Sequence, residues 1–164
     1  MALKIIVAAT LDNVIGLKNS LPFRLADDMK RFKEKTVGRA IVCGRTTYFS
    51  LPARFRPLPD RENIVLTHDP TELDGEMVTV VTDFKKVLER ARSEEIWIVG
   101  GAEVYRQALP FVQEIHLTRV QAIVPGDAYF HGLDSAEWSL VDQERRAADD
   151  RNRYNFTWET WRRL

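Results

Sequence analysis

The sequence predicts a single α/β domain built on a largely parallel sheet. Short apolar runs alternate with segments of helical spacing over most of the 164 residues, the order that generates strand–helix–strand units. Those runs lack polar alternation, as expected of strands covered on both faces. From Glu114 onward the pattern changes to period two with no helix between segments, so the last strands should run antiparallel.

The first strand is expected at "LKIIVAA", Leu3 to Ala9. Leu25 to Lys35 repeats apolar residues three and four apart and is expected to be a helix. "RAIVCG" and "ENIVLT" follow as buried strands, with Pro52, Pro57 and Pro59 marking an ordered surface loop between them. "MVTVV" is a further strand expected to be buried on both faces, Asp83 to Arg92 a helix, "EIWIVGG" a strand, and Ala102 to Leu109 a helix. "EIHLTRVQA", "EWSLVDQE" and "YNFTWETW" complete the sheet, the last two as a hairpin.

Composition narrows the function. Hydrophobic residues make up 45% of the chain, enough for one continuous core with a cleft and too little chain for a second domain, so residues 1–164 are expected to form one unit. Twenty-four basic and 24 acidic residues cancel and are interspersed, as in "QERRAADDRNR", which gives no electrostatic footprint for nucleic acid. The apolar run near the start is too short for a signal peptide or a membrane span, and Cys43 is the only cysteine, so a cytoplasmic protein without a disulfide is expected. His68, His116 and His131 lack ligand spacing and no metal is expected.

"NSLPFRLADDMKRFKEKT" holds two adjacent acids that a helix separates. At about 100° per residue, Leu25, Met29, Phe32 and Thr36 fall near one line; Asp28 lies about 60° from it and Asp27 points away. Asp27 reads as a first-turn carboxylate complementing the helix dipole. A carboxylate turned toward an apolar face needs partners or an altered pKa, so Asp28 is a candidate acid, base or ligand anchor.

Neither the glycine fingerprint of dinucleotide sites nor the P-loop is present. Three strand ends nonetheless carry anion-binding chemistry. Gly44 leads into Arg45, Thr46 and Thr47, which sets a guanidinium beside hydroxyls and free amides; Thr67 and His68 end a second strand; Gly100 and Gly101 separate a third from its helix. In a parallel sheet these ends share one edge, where open α/β folds bind ligands. Their coincidence favours a phosphate-bearing nucleotide cofactor.

With these features, "VIGLKNSLPFRLADDMKRFK", "IVCGRTTYFSLP", "RPLPDRENIVLTH", "IVGGAEVYRQALP" and "HLTRVQA…GDAYF" resemble dihydrofolate reductases in order and spacing over nearly the whole chain. The resemblance implies a mixed sheet of eight strands, mostly parallel with an antiparallel C-terminal hairpin, flanked by about four helices. It also implies NADPH-dependent reduction of 7,8-dihydrofolate to tetrahydrofolate. Asp28 matches the one ionisable group at the pterin, which binds the 2-amino and N3 edge and favours protonation at N5 through a water. Thr118 matches the hydroxyl that bonds this carboxylate. Ile6, Ala8 and Val99 match strand-end positions around the ring. Leu21, Met29, Phe32, Leu51 and Leu58 match apolar walls, and Arg61 the guanidinium that grips the glutamate α-carboxylate.

For the cofactor, Ala8, Ile15, Gly16, Asn19, Ser20 and Leu21 match the strand end and loop that close over the nicotinamide. Gly44, Arg45, Thr46 and Thr47 match one phosphate-binding helix start. Val99, Gly100, Gly101, Ala102, Glu103, Val104, Tyr105 and Gln107 match the other. Arg45, Leu66, Thr67 and His68 resemble the surroundings of the adenosine 2′-phosphate, a cationic patch that favours NADPH over NADH. Antifolate inhibitors are implied as further ligands, and a monomer is the family's commonest state.

Two positions depart from the family pattern. Phe23 stands where a tryptophan is usual, and phenylalanine has no donor with which to hold a water. Glu103 stands where several members have Arg or another donor near the 2′-phosphate. Two competing readings differ in what they require. A riboflavin-precursor reductase of the same fold would not need Asp28 and Arg61 together, and a non-catalytic nucleotide-binding module would need nothing at the pterin end.

Overall fold

Leu3–Thr10 (β1) is buried along nearly its whole length and forms the centre of the sheet. The computed structural model describes residues 2–164. After β1 come Val14–Gly16 (β2), Ala26–Thr36 (α1), Ala40–Gly44 (β3), Arg45–Ser50 (α2), Glu62–Leu66 (β4), Thr79–Val81 (β5) and Phe84–Arg90 (α3). Ile96–Gly100 (β6), Ala102–Ala108 (α4), Glu114–Val120 (β7), Ala128–Tyr129 (β8), Trp138–Arg146 (β9) and Phe156–Arg163 (β10) follow.

The main sheet has eight strands in the order β5-β4-β3-β6-β1-β7-β10-β9. Every pairing from β5 to β7 is parallel, and β10 is antiparallel to both neighbours. The expected α/β class, mixed eight-stranded sheet and C-terminal hairpin are all present. Strand β10 therefore lies between β7 and β9 although it follows both in the chain.

Period two in each strand divides the core between the faces. Leu3, Ile5 and Val7 of β1 pack with Val42, Ile98, and the α3 and α4 residues Val87, Tyr105 and Ala108. Ile6 points the other way and packs with Ile41 and Trp97, against which Phe32 of α1 rests. Tyr48 of α2 joins Cys43 and Val65 on that same second face. Helices α3 and α4 thus cover one face, and α1 and α2 the other.

Three expectations need correction. "MVTVV" is not buried on both faces: β5 is a short edge strand and Met77 before it is 86% exposed. The small β2–β8 sheet was not foreseen, because its strands of three and two residues are too short for any periodicity. Asp27 does not face solvent. Its side chain is only 12% exposed, because the β9–β10 connection folds over the start of α1: Arg151 and Asn152 bond it at 2.9 and 3.0 Å, and Arg146 of β9 at 3.2 Å. The Asn152 side chain also accepts from the Asp27 amide at 3.1 Å, fixing the helix N-terminus.

Candidate active site

Asp28 lies in the first turn of α1, partly buried and turned toward the sheet. Thr118 Oγ1 donates to its Oδ1 at 2.5 Å, and the Trp158 indole Nε1–H donates to the same oxygen at 2.9 Å. Strand register produces this convergence. Ala8 on β1, Thr118 on β7 and Trp158 on β10 are successive cross-strand partners, so both donors stand on the face that α1 covers. Among the described residues no hydrogen bond from the chain reaches Oδ2. Burial pushes the carboxyl above the ordinary aspartate range; the bonds from Thr118 and Trp158 and the Arg31 charge pull it partway back.

Ile6, Phe32, Leu58 and Val99 come together in one apolar cluster with Ile41 and Trp97. Leu51 is half-buried at the end of α2, its carbonyl accepting from Arg56 at 2.7 Å. Met29 departs from the buried line of Leu25 and Thr36: it is 53% exposed and Leu21 61%, so neither belongs to the core. Arg61 is clamped by the Pro59 carbonyl at 2.8 Å and the Thr36 hydroxyl at 3.1 Å, with its guanidinium 5.9 Å from the Phe32 ring centre.

Ile15 and Gly16 belong to β2, and the chain then turns tightly, Leu17 and Ser20 exchanging backbone bonds at 2.9 and 3.0 Å. Lys18 and Asn19 both adopt positive φ in that turn. Asp127 braces it, accepting from the Lys18 amide at 3.0 Å and donating its own amide to the Gly16 carbonyl at 2.9 Å.

The parallel strand ends do meet along one edge. Gly100 has φ +135°, a conformation that favours glycine, and a side chain at Gly101 would lie 3.0 Å from Thr47 Oγ1. The bare Gly-Gly backbone at the end of β6 therefore lies directly against the start of α2. Arg45 and Thr46 are exposed beside it. Arg45 pairs with Glu72, a partner that sequence spacing could not reveal. Thr67 is buried, and its hydroxyl accepts from the Asp69 amide at 3.2 Å, while His68 is exposed. Glu103 bonds Arg106 at 2.5 Å and Gln107 at 3.3 Å, and the Arg106 hydrogen bond above all holds its carboxyl below the usual range.

Leu66, Val104 and Tyr105 direct their side chains into the core, leaving only backbone for a ligand. The Tyr105 hydroxyl donates to the Ile6 carbonyl at 2.8 Å, linking α4 to β1. Trp158 is the partner of Asp28 that sequence reasoning missed. Its signal was an aromatic residue at an alternating position of the last strand, which has meaning only once the β7–β10 register is known. No cluster able to hold a metal ion occurs among the described residues, and no described helix is long and apolar enough to cross a membrane.

The family model described as dihydrofolate reductase matches residues 2–163. A dihydrofolate reductase of Haemophilus influenzae is 38% identical over 156 residues, 94% of each chain, and one of Bacillus subtilis 36% identical over 92% of this chain and 88% of its own. A solved structure of dihydrofolate reductase from Enterococcus faecalis, complexed with NADP(H) and RAB-propyl, superposes with a TM-score of 0.89 at 32% identity, covering 98% of this chain and 95% of that one.

Proposed function

Since the chain belongs to the dihydrofolate reductase family, we propose that this NADPH-dependent oxidoreductase reduces 7,8-dihydrofolate to 5,6,7,8-tetrahydrofolate. A hydride reaches C6, a proton delivered by water reaches N5, and NADP⁺ leaves. The observation that carries this reading is the Asp28 carboxylate, fixed through Oδ1 by Thr118 and Trp158 with Oδ2 open to a ligand. A buried acid in that state suits the guanidine-like edge of a pterin, through charge-assisted hydrogen bonds.

The residues of the strand edge fit NADPH. The Gly100-Gly101 backbone leaves room that a Cβ would fill, and Arg45, Thr46, Thr47 and Thr67 supply donors suited to phosphate. When bound, the nicotinamide supplies the hydride. The chain's own groups then align and desolvate. Ile15 to Leu21 would cover the ring, Ile6, Phe32, Leu51 and Leu58 would wall the pterin and benzoyl groups, and Arg61 would take the glutamate α-carboxylate. Asp28 would hold the pterin in the orientation and polarisation that favour protonation at N5. Asp28 and Arg61 together disfavour the riboflavin-precursor reductase, which has no use for a glutamate clamp.

We expect a monomer in the cytoplasm that binds antifolates and neither nucleic acid nor membrane. A spectrophotometric assay of NADPH oxidation decides the reaction. Turnover with dihydrofolate is expected; NADPH binding without turnover would favour a non-catalytic module, and turnover with a riboflavin precursor instead would favour the other reductase.

A further inference from the structure

We propose that Trp158 is a positioning residue for the reaction: its indole N–H, together with the Thr118 hydroxyl, fixes one oxygen of Asp28 and so aims the other at the pterin. The inference rests on the reading of Asp28 as the pterin-binding group.

Four observations carry it. The indole nitrogen lies 2.9 Å from Asp28 Oδ1, although the two residues are 130 positions apart in the chain. Thr118 reaches the same oxygen, and Thr118 and Trp158 are direct partners in the antiparallel β7–β10 pairing, so the two donors form one rigid fork. Phe23, the aromatic side chain buried in the cluster against which Trp158 packs, has no donor to offer. Finally, the indole is itself held: Phe156 meets it edge-on at 5.3 Å, and the Arg31 and Arg146 guanidinium groups each lie 4.8 Å from its ring centre.

A tryptophan used only as filler would not need its N–H aimed at a carboxylate, and an indole N–H can serve nothing except an acceptor. Two donors on one oxygen also settle the carboxylate's rotation, which a single rotatable hydroxyl would leave free. Charged groups around this fork are Arg31 from α1 and Arg146 from β9, with Glu144 and Asp142 of β9 acting on Arg31, and His116 lies two residues before Thr118 on β7. Burial pushes His116 down to about 4, so it stays neutral through the range in which the enzyme would work.

Trp158→Phe keeps an aromatic ring for the two guanidinium groups and deletes the donor along with the second ring of the indole. Single-turnover hydride transfer should show its pH midpoint moved upward, because loss of a bond to the ionised acid favours the protonated form. A shift of about one pH unit, with dihydrofolate Kd weakened about tenfold, corresponds to loss of one such bond. NADPH Kd should stay unchanged. An unmoved midpoint with unmoved dihydrofolate Kd in a folded variant would overturn the inference, since a purely structural role would alter melting and not titration.

A second measurement needs no variant and no substrate. In the wild-type protein the Trp158 indole N–H resonance should titrate together with the Asp28 carboxyl resonance; an indole insensitive to pH across that midpoint would sink the proposal. Failure of the wild-type protein to reduce dihydrofolate would remove the functional reading, and the indole titration would still decide whether Trp158 holds Asp28.

Discussion

Burial raises the Asp28 carboxyl, so the folded chain binds that proton more tightly than the unfolded chain does. The associated stability is full below the unfolded pKa and lost as the pH rises through the folded one. At neutral pH the ionised acid therefore weakens the fold while serving the proposed chemistry. Asp28→Asn should abolish most dihydrofolate reduction, leave NADPH binding intact and raise Tm at pH 7. The gain should vanish as pH falls toward the ordinary aspartate value of 3.8, which paired melting curves across pH would check. The facing of Asp28 was legible because helical periodicity acts within one element. The donor from Trp158 was not, because it depends on which strands are neighbours. Phe23 is 6% exposed among Leu25, Val120 and Phe156, so Phe23→Trp should overpack this cluster and cost about 1 to 3 kcal/mol in denaturant melts, without tighter dihydrofolate binding.

At the scale of elements, the β9–β10 hairpin acts on α1 as well as on the sheet. Asp27 is the first-turn acid that the sequence implies, pointing away from the apolar line, yet it is covered. A helical projection shows which way a side chain points, not whether a distant loop covers that side. Held by Arg146, Arg151 and Asn152, Asp27 now belongs to stability: Asp27→Asn should cost about 1 to 2 kcal/mol in thermal melts with kcat unchanged. The strand-end edge was legible from the three Gly- and Thr-bearing turns, as was the presence of an acid at Glu103, but the pairing of Arg45 with Glu72 was not. Glu72 pairs with Arg45 and would compete with a 2′-phosphate for it, whereas Glu103 is engaged by Arg106 and Gln107. Glu72→Gln should lower the NADPH Kd and leave the NADH Kd nearly unchanged, whereas Arg45→Ala with His68→Ala should raise the NADPH Kd far more. Parallel titrations with the two cofactors test both.

Over the whole molecule, the architecture was legible because continuous apolar runs between amphipathic segments permit few arrangements other than a helix-covered parallel sheet. Strand order was not legible, since a local pattern carries no information about crossovers. NADPH bound as proposed would touch the loops after β1, β3, β4 and β6, so it should stabilise the fold. At a hundredfold excess over Kd the gain is about 2.7 kcal/mol, or roughly 5 to 10 °C in Tm for a chain of this size. Calorimetry with and without NADPH would measure it, and an unchanged Tm would count against a preformed cofactor groove. The insertion of β10 between β7 and β9 has a consequence for synthesis. During translation β7 is made before β9 and β10 and keeps a bare edge, while the strand destined to cover that edge, and to bring the indole to Asp28, is the last of the ten. A chain that stops before Phe156 lacks the Trp158 donor, so the acid site proposed above stays incomplete until β10 has paired with β7.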